Sequence, residues 1–142
     1  MKCKELMVGD FCRSGHGLPM QITNVGDDYA YATFEGNEGE PWEFDDKDEQ
    51  PQPIEITKEL LEANGWVIEN YYSVKRNHNV DYYVIDIEES SYYIIWDNGT
   101  LSMFHNNKSY YYDIVIPVKY VHQIQQVLRL AGMTDLANNF KI

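Results

Sequence analysis

The sequence predicts an α+β protein with two antiparallel sheets. Residues 6–34 contain short apolar runs separated by turn residues, a pattern typical of a small antiparallel sheet or an SH3-like barrel. Nine of the twelve tyrosines lie between Tyr71 and Tyr112, in runs with strand character. An apolar stripe with helical spacing follows after residue 119. We therefore expect a small β lobe at 1–53 and an α+β lobe at 54–142, packed together.

The N-terminal strands are separated by turns at 9–10, 15–17 and 26–28, which are rich in Gly and Asp. An acidic stretch then runs from Glu35 to Glu49, with eight acids and one lysine. Such a charge run predicts an exposed loop or edge, followed by a linker into a helix. The acids that could form a binding surface there are Glu38, Glu40, Asp45, Asp46 and Asp48.

A short helix is predicted from Lys58 to Asn64. Thr57 precedes it and can accept a hydrogen bond from an N–H group of the first turn. Gly65 follows it and suits the left-handed residue that ends many helices. A helix of two turns is too short to be stable alone, so we expect it to link and pack against the lobes.

The strongest local signal is Asn98-Gly99 between two apolar runs, which favours a two-residue type I′ hairpin. Such a turn fixes the register of its two strands. The predicted facing pairs are Trp96 and Leu101, Ile94 and Met103, Tyr92 and His105, Ile95 and Ser102, and Tyr93 and Phe104.

Neighbouring residues of a strand point to opposite faces of a sheet, so each Tyr-Tyr doublet places one ring on each face. We expect the first face to carry Tyr83, Ile85, Ile87, Tyr92, Ile94, Trp96, Leu101, Met103, Tyr110, Tyr112 and Ile114. We expect the second face to carry Tyr82, Val84, Tyr93, Ile95, Phe104, Tyr111 and Val115. The C-terminal helix should cover the first face. The N-terminal strands, the short helix, a partner or a second copy should cover the second.

Composition excludes several function classes. The net charge of −12 repels phosphate backbones, so direct nucleic-acid binding is not expected. No apolar run approaches the roughly eighteen residues of a membrane helix. The first residues lack an apolar stretch of signal-peptide length, so we expect a cytoplasmic protein without membrane contact.

The chemical motifs are weak. Cys3, Cys12 and His16 could ligate zinc, but they lack a C-x2-C knuckle and a fourth ligand. The residues from Asp45 to Glu49 lack the ligand spacing of a calcium loop. The sequence contains neither a Gly-x-Ser-x-Gly elbow nor a phosphate-binding loop. We therefore assign no metal, cofactor or catalytic residue.

Three motifs resemble a family of small uncharacterised bacterial proteins, often found in phage-like or mobile-element settings. They are KELMVGD at 4–10, PIEITKELLEANGW at 53–66 and KYVHQIQ at 119–125. The resemblance implies a cytoplasmic accessory protein of mobile-element origin. It implies no activity, so no functional residue is carried over.

The sequence thus predicts a non-enzymatic protein that binds an unidentified protein partner. The predicted surface is the second face near Tyr82, Tyr93, Phe104 and Tyr111, or the acidic stretch from Glu35 to Glu49. One alternative is an acidic mimic of nucleic acid that blocks a basic cleft. Another is a hydrolase or metal enzyme that uses Cys12, His16 or His122, because such groups can converge in space from distant positions.

Overall fold

A computed structural model describes the backbone of residues 1–87, 92–105 and 114–142, and the side chains of 1–85, 94–103 and 115–142. It confirms the α+β class: two antiparallel sheets, of four and five strands, accompanied by short helices. The chain divides into two compact units. Unit 1 comprises 1–56 and 120–142, and unit 2 comprises 57–119.

The strands of unit 1 are β1 (Phe11–Arg13), β2 (Pro19–Val25), β3 (Tyr29–Thr33) and β4 (Trp42–Asp45). Unit 2 contains helix α1 (Lys58–Ala63) and strands β5 (Val67–Ser73), β6 (His78–Ile87), β7 (Tyr92–Asp97), β8 (Thr100–His105) and β9 (Ile114–Pro117). Helices α2 (Val121–Leu130) and α3 (Thr134–Asn138) complete unit 1. In both sheets each strand pairs with its neighbour in sequence.

The predicted acidic loop in unit 1 contains a strand that the sequence reading missed. Within β4, Phe44 is fully buried in the core with Met20 and Ile22, while Glu43 is exposed. The abundance of acids concealed this short alternation of apolar and polar residues, which is the signature of a half-buried strand. The acidic residues therefore lie partly on a strand and partly in the turns beside it.

The C-terminal helix differs most from the prediction. We expected it to cover the first face of the Tyr-rich sheet, but α2 belongs to unit 1 and contacts β1. Its buried Gln125 accepts a hydrogen bond from the Phe11 N–H at 2.8 Å and donates to the Gly9 carbonyl at 3.0 Å. These bonds satisfy buried backbone groups of unit 1. The unit bounds consequently differ from the predicted 1–53 and 54–142.

The hairpin of unit 2 has the predicted turn and register. Asn98 and Gly99 have φ values of 44° and 86°, as a type I′ turn requires. All five predicted facing pairs occur between β7 and β8. The Thr57 hydroxyl oxygen accepts a hydrogen bond from the Leu60 N–H at 3.2 Å, so the predicted start of α1 is also confirmed.

Strands β6, β7 and β8 bury their part of the first face of the five-stranded sheet, whereas Ile68 and Tyr72 on the edge strand β5 are 46% and 57% exposed on the same face. Tyr83, Ile94, Leu101 and Met103 are each at most 3% exposed. Burial raises the pKa of the Tyr83 phenol, and the charges of Glu62 and Glu59 on α1 add to that effect. The short helix α1 therefore lies close to this face within unit 2.

Candidate interaction site

The second face of the five-stranded sheet leaves apolar side chains in contact with solvent. Val67 is 61% exposed, Val115 is 55% exposed and Tyr71 is 40% exposed. Val67 lies opposite Val84, which pairs with Ile95, so these residues share the face with Val115 through the register of the sheet. Val67 and Tyr71 lie on one edge strand of the sheet and Val115 lies on the other. Exposed apolar side chains at both edges of one face favour an interaction surface there.

A cavity of about 290 Å³ lies on this face, and we call it the second-face pocket. Its described walls come from four strands: Tyr71 on β5, Tyr82 on β6, Ile95 and Asp97 on β7, and Ser102 on β8. The small Ser102 side chain lies opposite Ile95. A larger residue at that position would occupy part of the space.

Strand register brings the two tyrosines of the pocket together. Tyr71 lies opposite Val80, and Tyr82 lies opposite Glu69, so the two tyrosines are diagonal neighbours on one face. Their ring centroids are 5.4 Å apart with an interplanar angle of 65°, an edge-to-face contact. The Tyr82 hydroxyl donates to Glu69 Oε2 at 2.6 Å, which fixes the orientation of the ring.

The Asp97 carboxylate is the charged group of the pocket, and its hydrogen bonding is weak. The Tyr71 hydroxyl lies 3.4 Å from Oδ2, longer than a good O–H···O bond of about 2.5–3.0 Å. The Oδ1 atom is buried and has no hydrogen-bond partner among the described residues. A donor that reaches this carboxylate would supply a hydrogen bond that it lacks among the described residues.

Of the four predicted surface residues, Tyr82 lies in the pocket. Tyr93 pairs with Phe104 as predicted, but the side chains of both lie outside the described residues, as does the whole of Tyr111. The sequence reading did not select Tyr71, Asp97 or Ser102. The Asn98-Gly99 turn predicts that Ile95 faces Ser102, so the sequence does contain a signal that brings these two lining residues together.

The predicted acidic surface divides into two groups. Glu38, Glu40 and Asp48 are exposed, whereas Asp45 and Asp46 are half-buried. Asp45 Oδ1 accepts a hydrogen bond from the Lys47 N–H at 2.6 Å and so closes the turn after β4. This carboxylate contributes to the fold as well as to the surface charge.

Asp46 is also tied to the backbone. Its Oδ1 accepts a hydrogen bond from the Cys3 N–H at 2.8 Å, and this bond is the main cause that lowers the pKa of its carboxyl group. The Lys2 ammonium lies 3.9 Å from Oδ2. Neutralising Asp46 would therefore disturb the attachment of the N-terminal segment as well as removing a surface charge.

The thiols are not activated as nucleophiles. Burial, helped by the neighbouring acids, raises the pKa of Cys3 to about 11 and that of Cys12 to about 12. A thiol attacks as the thiolate, so a raised pKa disfavours nucleophilic attack at neutral pH. His122 is buried at 4% exposure, whereas His16 is exposed. Within the described ranges, no three His, Cys, Asp or Glu side chains converge as a metal site would require.

In the part of the chain that the structure describes, no helix is long and apolar enough to cross a membrane. A scan against protein-family models, a search of curated proteins and a search of solved structures each found no match. The bacterial-family resemblance of the three motifs stays a prediction.

Proposed function

We propose that the chain is an interaction module that binds a protein partner through the second face of its five-stranded sheet. The observation that carries this proposal is the joint exposure of Val67, Tyr71 and Val115 around the second-face pocket. The accessory role that the sequence resemblance implies is compatible with such a module.

Physical chemistry favours a partner on this face. Burying apolar surface releases roughly 25 cal/mol for each Å² removed from water, so exposed valine and tyrosine side chains favour association. Tyrosine is enriched at protein interfaces because it offers a large contact area with few rotatable bonds. The pocket gives one partner side chain a defined place, and this supplies specificity in addition to affinity.

The Tyr71-Tyr72 doublet supplies a matched pair of variants for the test. The two residues are adjacent on β5 and face opposite sides of the sheet. The wild-type chain, Tyr71→Ser, Tyr72→Ser and Val115→Asp serve as bait for proteins from a lysate. We expect Tyr71→Ser and Val115→Asp to lose a protein that the wild type and Tyr72→Ser retain. Equal capture by all four baits would contradict the proposal.

An acidic surface for a basic partner is the second candidate, and exposure of Glu38, Glu40 and Asp48 favours it. It has less support, because Asp45 and Asp46 accept hydrogen bonds from the chain's own backbone. The combined variant Glu38→Gln, Glu40→Gln and Asp48→Asn tests it. The acidic surface is favoured over the second face if the wild type and Tyr71→Ser capture a protein in a salt-sensitive way and the combined variant does not.

A further inference from the structure

We infer that the second-face pocket binds the guanidinium group of an arginine side chain from the partner. This inference rests on the proposed function, because it identifies the chemistry of the group that enters the same face. Its basis is the combination of a weakly bonded carboxylate, two tyrosine rings and a cavity between them.

The carboxylate sets the charge of the occupant. Asp97 is partly buried, and its Oδ1 atom has no partner among the described residues. Among the described residues that line the pocket none has a basic side chain, so none of these neutralises Asp97. Glu69 adds a second negative charge beside Tyr82. An anion would be repelled, and an apolar group would leave the buried oxygen unsatisfied.

The two oxygens of Asp97 also favour a planar, forked donor. Oδ1 is unpaired among the described residues, and Oδ2 has only the long contact with the Tyr71 hydroxyl. A guanidinium group can donate two parallel N–H bonds to one carboxylate, whereas an ammonium group acts as a point charge. Because it is less strongly hydrated than an ammonium group, guanidinium also enters a half-buried site more readily.

The tyrosine rings provide two further walls, in addition to Ile95 and Ser102. Tyr71 and Tyr82 meet edge to face, so their planes differ by 65° and form a corner instead of a closed stack. Guanidinium groups stack on aromatic faces and are attracted to their negative centres. The Tyr82 hydroxyl donates to Glu69, which holds this ring in place before a ligand arrives.

The test uses small probes, so that it needs no identified partner. The ¹⁵N-labelled full chain is titrated with Nα-acetyl-arginine amide, and backbone shifts are followed by NMR. Nα-acetyl-citrulline amide is the neutral control of the same shape, and Nα-acetyl-lysine amide is the control of the same charge. We expect saturable shifts at Tyr71, Tyr82, Asp97 and Ser102 with the arginine probe, and binding at least about tenfold weaker with the other two.

Asp97→Asn and Asp81→Asn are matched charge variants. Both lie in the same sheet, but Asp81 lies on the opposite face, where it accepts a hydrogen bond from the Asn70 side chain at 2.7 Å. We expect Asp97→Asn to weaken arginine-probe binding about tenfold or more and Asp81→Asn to leave it unchanged. Equal effects of the two variants, equal binding of the arginine and citrulline probes, equal or tighter binding of the lysine probe, or no saturable shift up to roughly 10 mM would overturn the guanidinium inference.

The capture experiment separates this inference from the proposed function. If Tyr71→Ser loses a partner that Tyr72→Ser retains, and the arginine probe does not bind, the second face is an interaction surface without an arginine anchor. If the arginine probe binds at Asp97 but capture is the same for all baits, the pocket chemistry holds and the proposed function fails.

Discussion

Tyr71 and Asp97 lie 26 positions apart in the sequence and meet on the second face, with the Tyr71 hydroxyl 3.4 Å from Asp97 Oδ2. Two strand pairings produce this meeting. The β5–β6 pairing sets Tyr71 diagonal to Tyr82, and the β6–β7 pairing brings β7 alongside β6. A tyrosine from one doublet and an acid from the hairpin thereby line one pocket.

The edge-to-face contact of Tyr71 and Tyr82 predicts energetic coupling between them. In a double-mutant cycle of Tyr71→Leu and Tyr82→Leu, urea unfolding should give a coupling free energy of about 0.5–1.5 kcal/mol. The matched cycle uses Tyr72→Leu with Tyr82→Leu, because Tyr72 lies on the opposite face. That second cycle should be additive to within about 0.5 kcal/mol. Equal coupling in both cycles would mean that the ring contact contributes nothing specific.

The hairpin turn predicts a penalty for a side chain at Gly99. This residue has φ of +86°, and among the described residues no heavy atom lies within 4 Å of where a Cβ would stand. Gly99→Ala should therefore lower the free energy of unfolding through backbone strain alone, by about 1–2 kcal/mol. The control is Gly39→Ala, which is equally open but outside the left-handed region. It should change stability little or increase it slightly. Similar losses of stability in both variants would contradict the explanation that the penalty at Gly99 comes from its positive φ in the turn.

The same turn shows why part of the fold could be predicted from sequence. A two-residue Asn-Gly turn requires positive φ at both positions, so it determines the register of the strands beside it. The turn between β5 and β6, at residues 74–77, is longer; Asn77 has a φ of 55° there, but no Asn-Gly pair marks the turn in the sequence. Its register could not be inferred, and Tyr71 could not be placed beside Tyr82. The pocket could not be predicted because the β5–β6 pairing, one of the two strand pairings that form it, has no local sequence signal for its register.

The position of α2 was unpredictable for a different reason. An apolar stripe establishes that a helix must be buried, but either sheet could have received it. In the structure, polar contacts decide which sheet α2 packs on. The spacing of apolar residues in the sequence gives no information about such contacts. Gln125 is fully buried, and the polar side chain of His122 is also buried. The Gln125 amide bonds groups that are more than 110 positions away along the chain.

The buried ion pair between Asp10 and Arg129 is expected to be essential for unit 1. Asp10 is fully buried, receives a hydrogen bond from Arg129 Nη1, and also accepts from Gln126 Nε2 at 2.7 Å. Arg129→Met would leave the Asp10 charge buried without its cation and should cost about 3–5 kcal/mol in urea unfolding.

Two further variants test that explanation. Adding Asp10→Asn to Arg129→Met should recover part of the loss, because the uncompensated charge is then absent. Lys2→Met breaks the pair of Lys2 with Asp46, in which the lysine is 49% exposed, and should have a much smaller effect. A loss from Lys2→Met as large as that from Arg129→Met would contradict the assignment of the effect to burial.

His122 predicts a loss of stability in mild acid. Burial lowers its pKa from the ordinary value of 6.5, despite opposing contributions from Asp10 and Glu5. Above pH 6.5 the ring is neutral in both the folded and the unfolded chain, so it carries no penalty. Below that pH the unfolded chain binds a proton that the folded chain does not, and the free energy of unfolding falls. The fall is at most about 1.4 kcal/mol per pH unit, and it ends below the pKa of the folded state.

A comparison of variants separates the effect of His122 protonation on stability from that of the carboxyl groups. The carboxyl groups with lowered pKa, such as Asp46, start from an ordinary value of 3.8 and therefore act in stronger acid. His122→Phe keeps an aromatic ring beside Tyr120, on which His122 stacks at 5.8 Å, but it cannot bind a proton. Urea unfolding between about pH 5 and 7.5 should show a shallower pH dependence for His122→Phe and for the smaller His122→Asn than for the wild type. Parallel curves for all three chains would show that His122 does not cause the acid sensitivity.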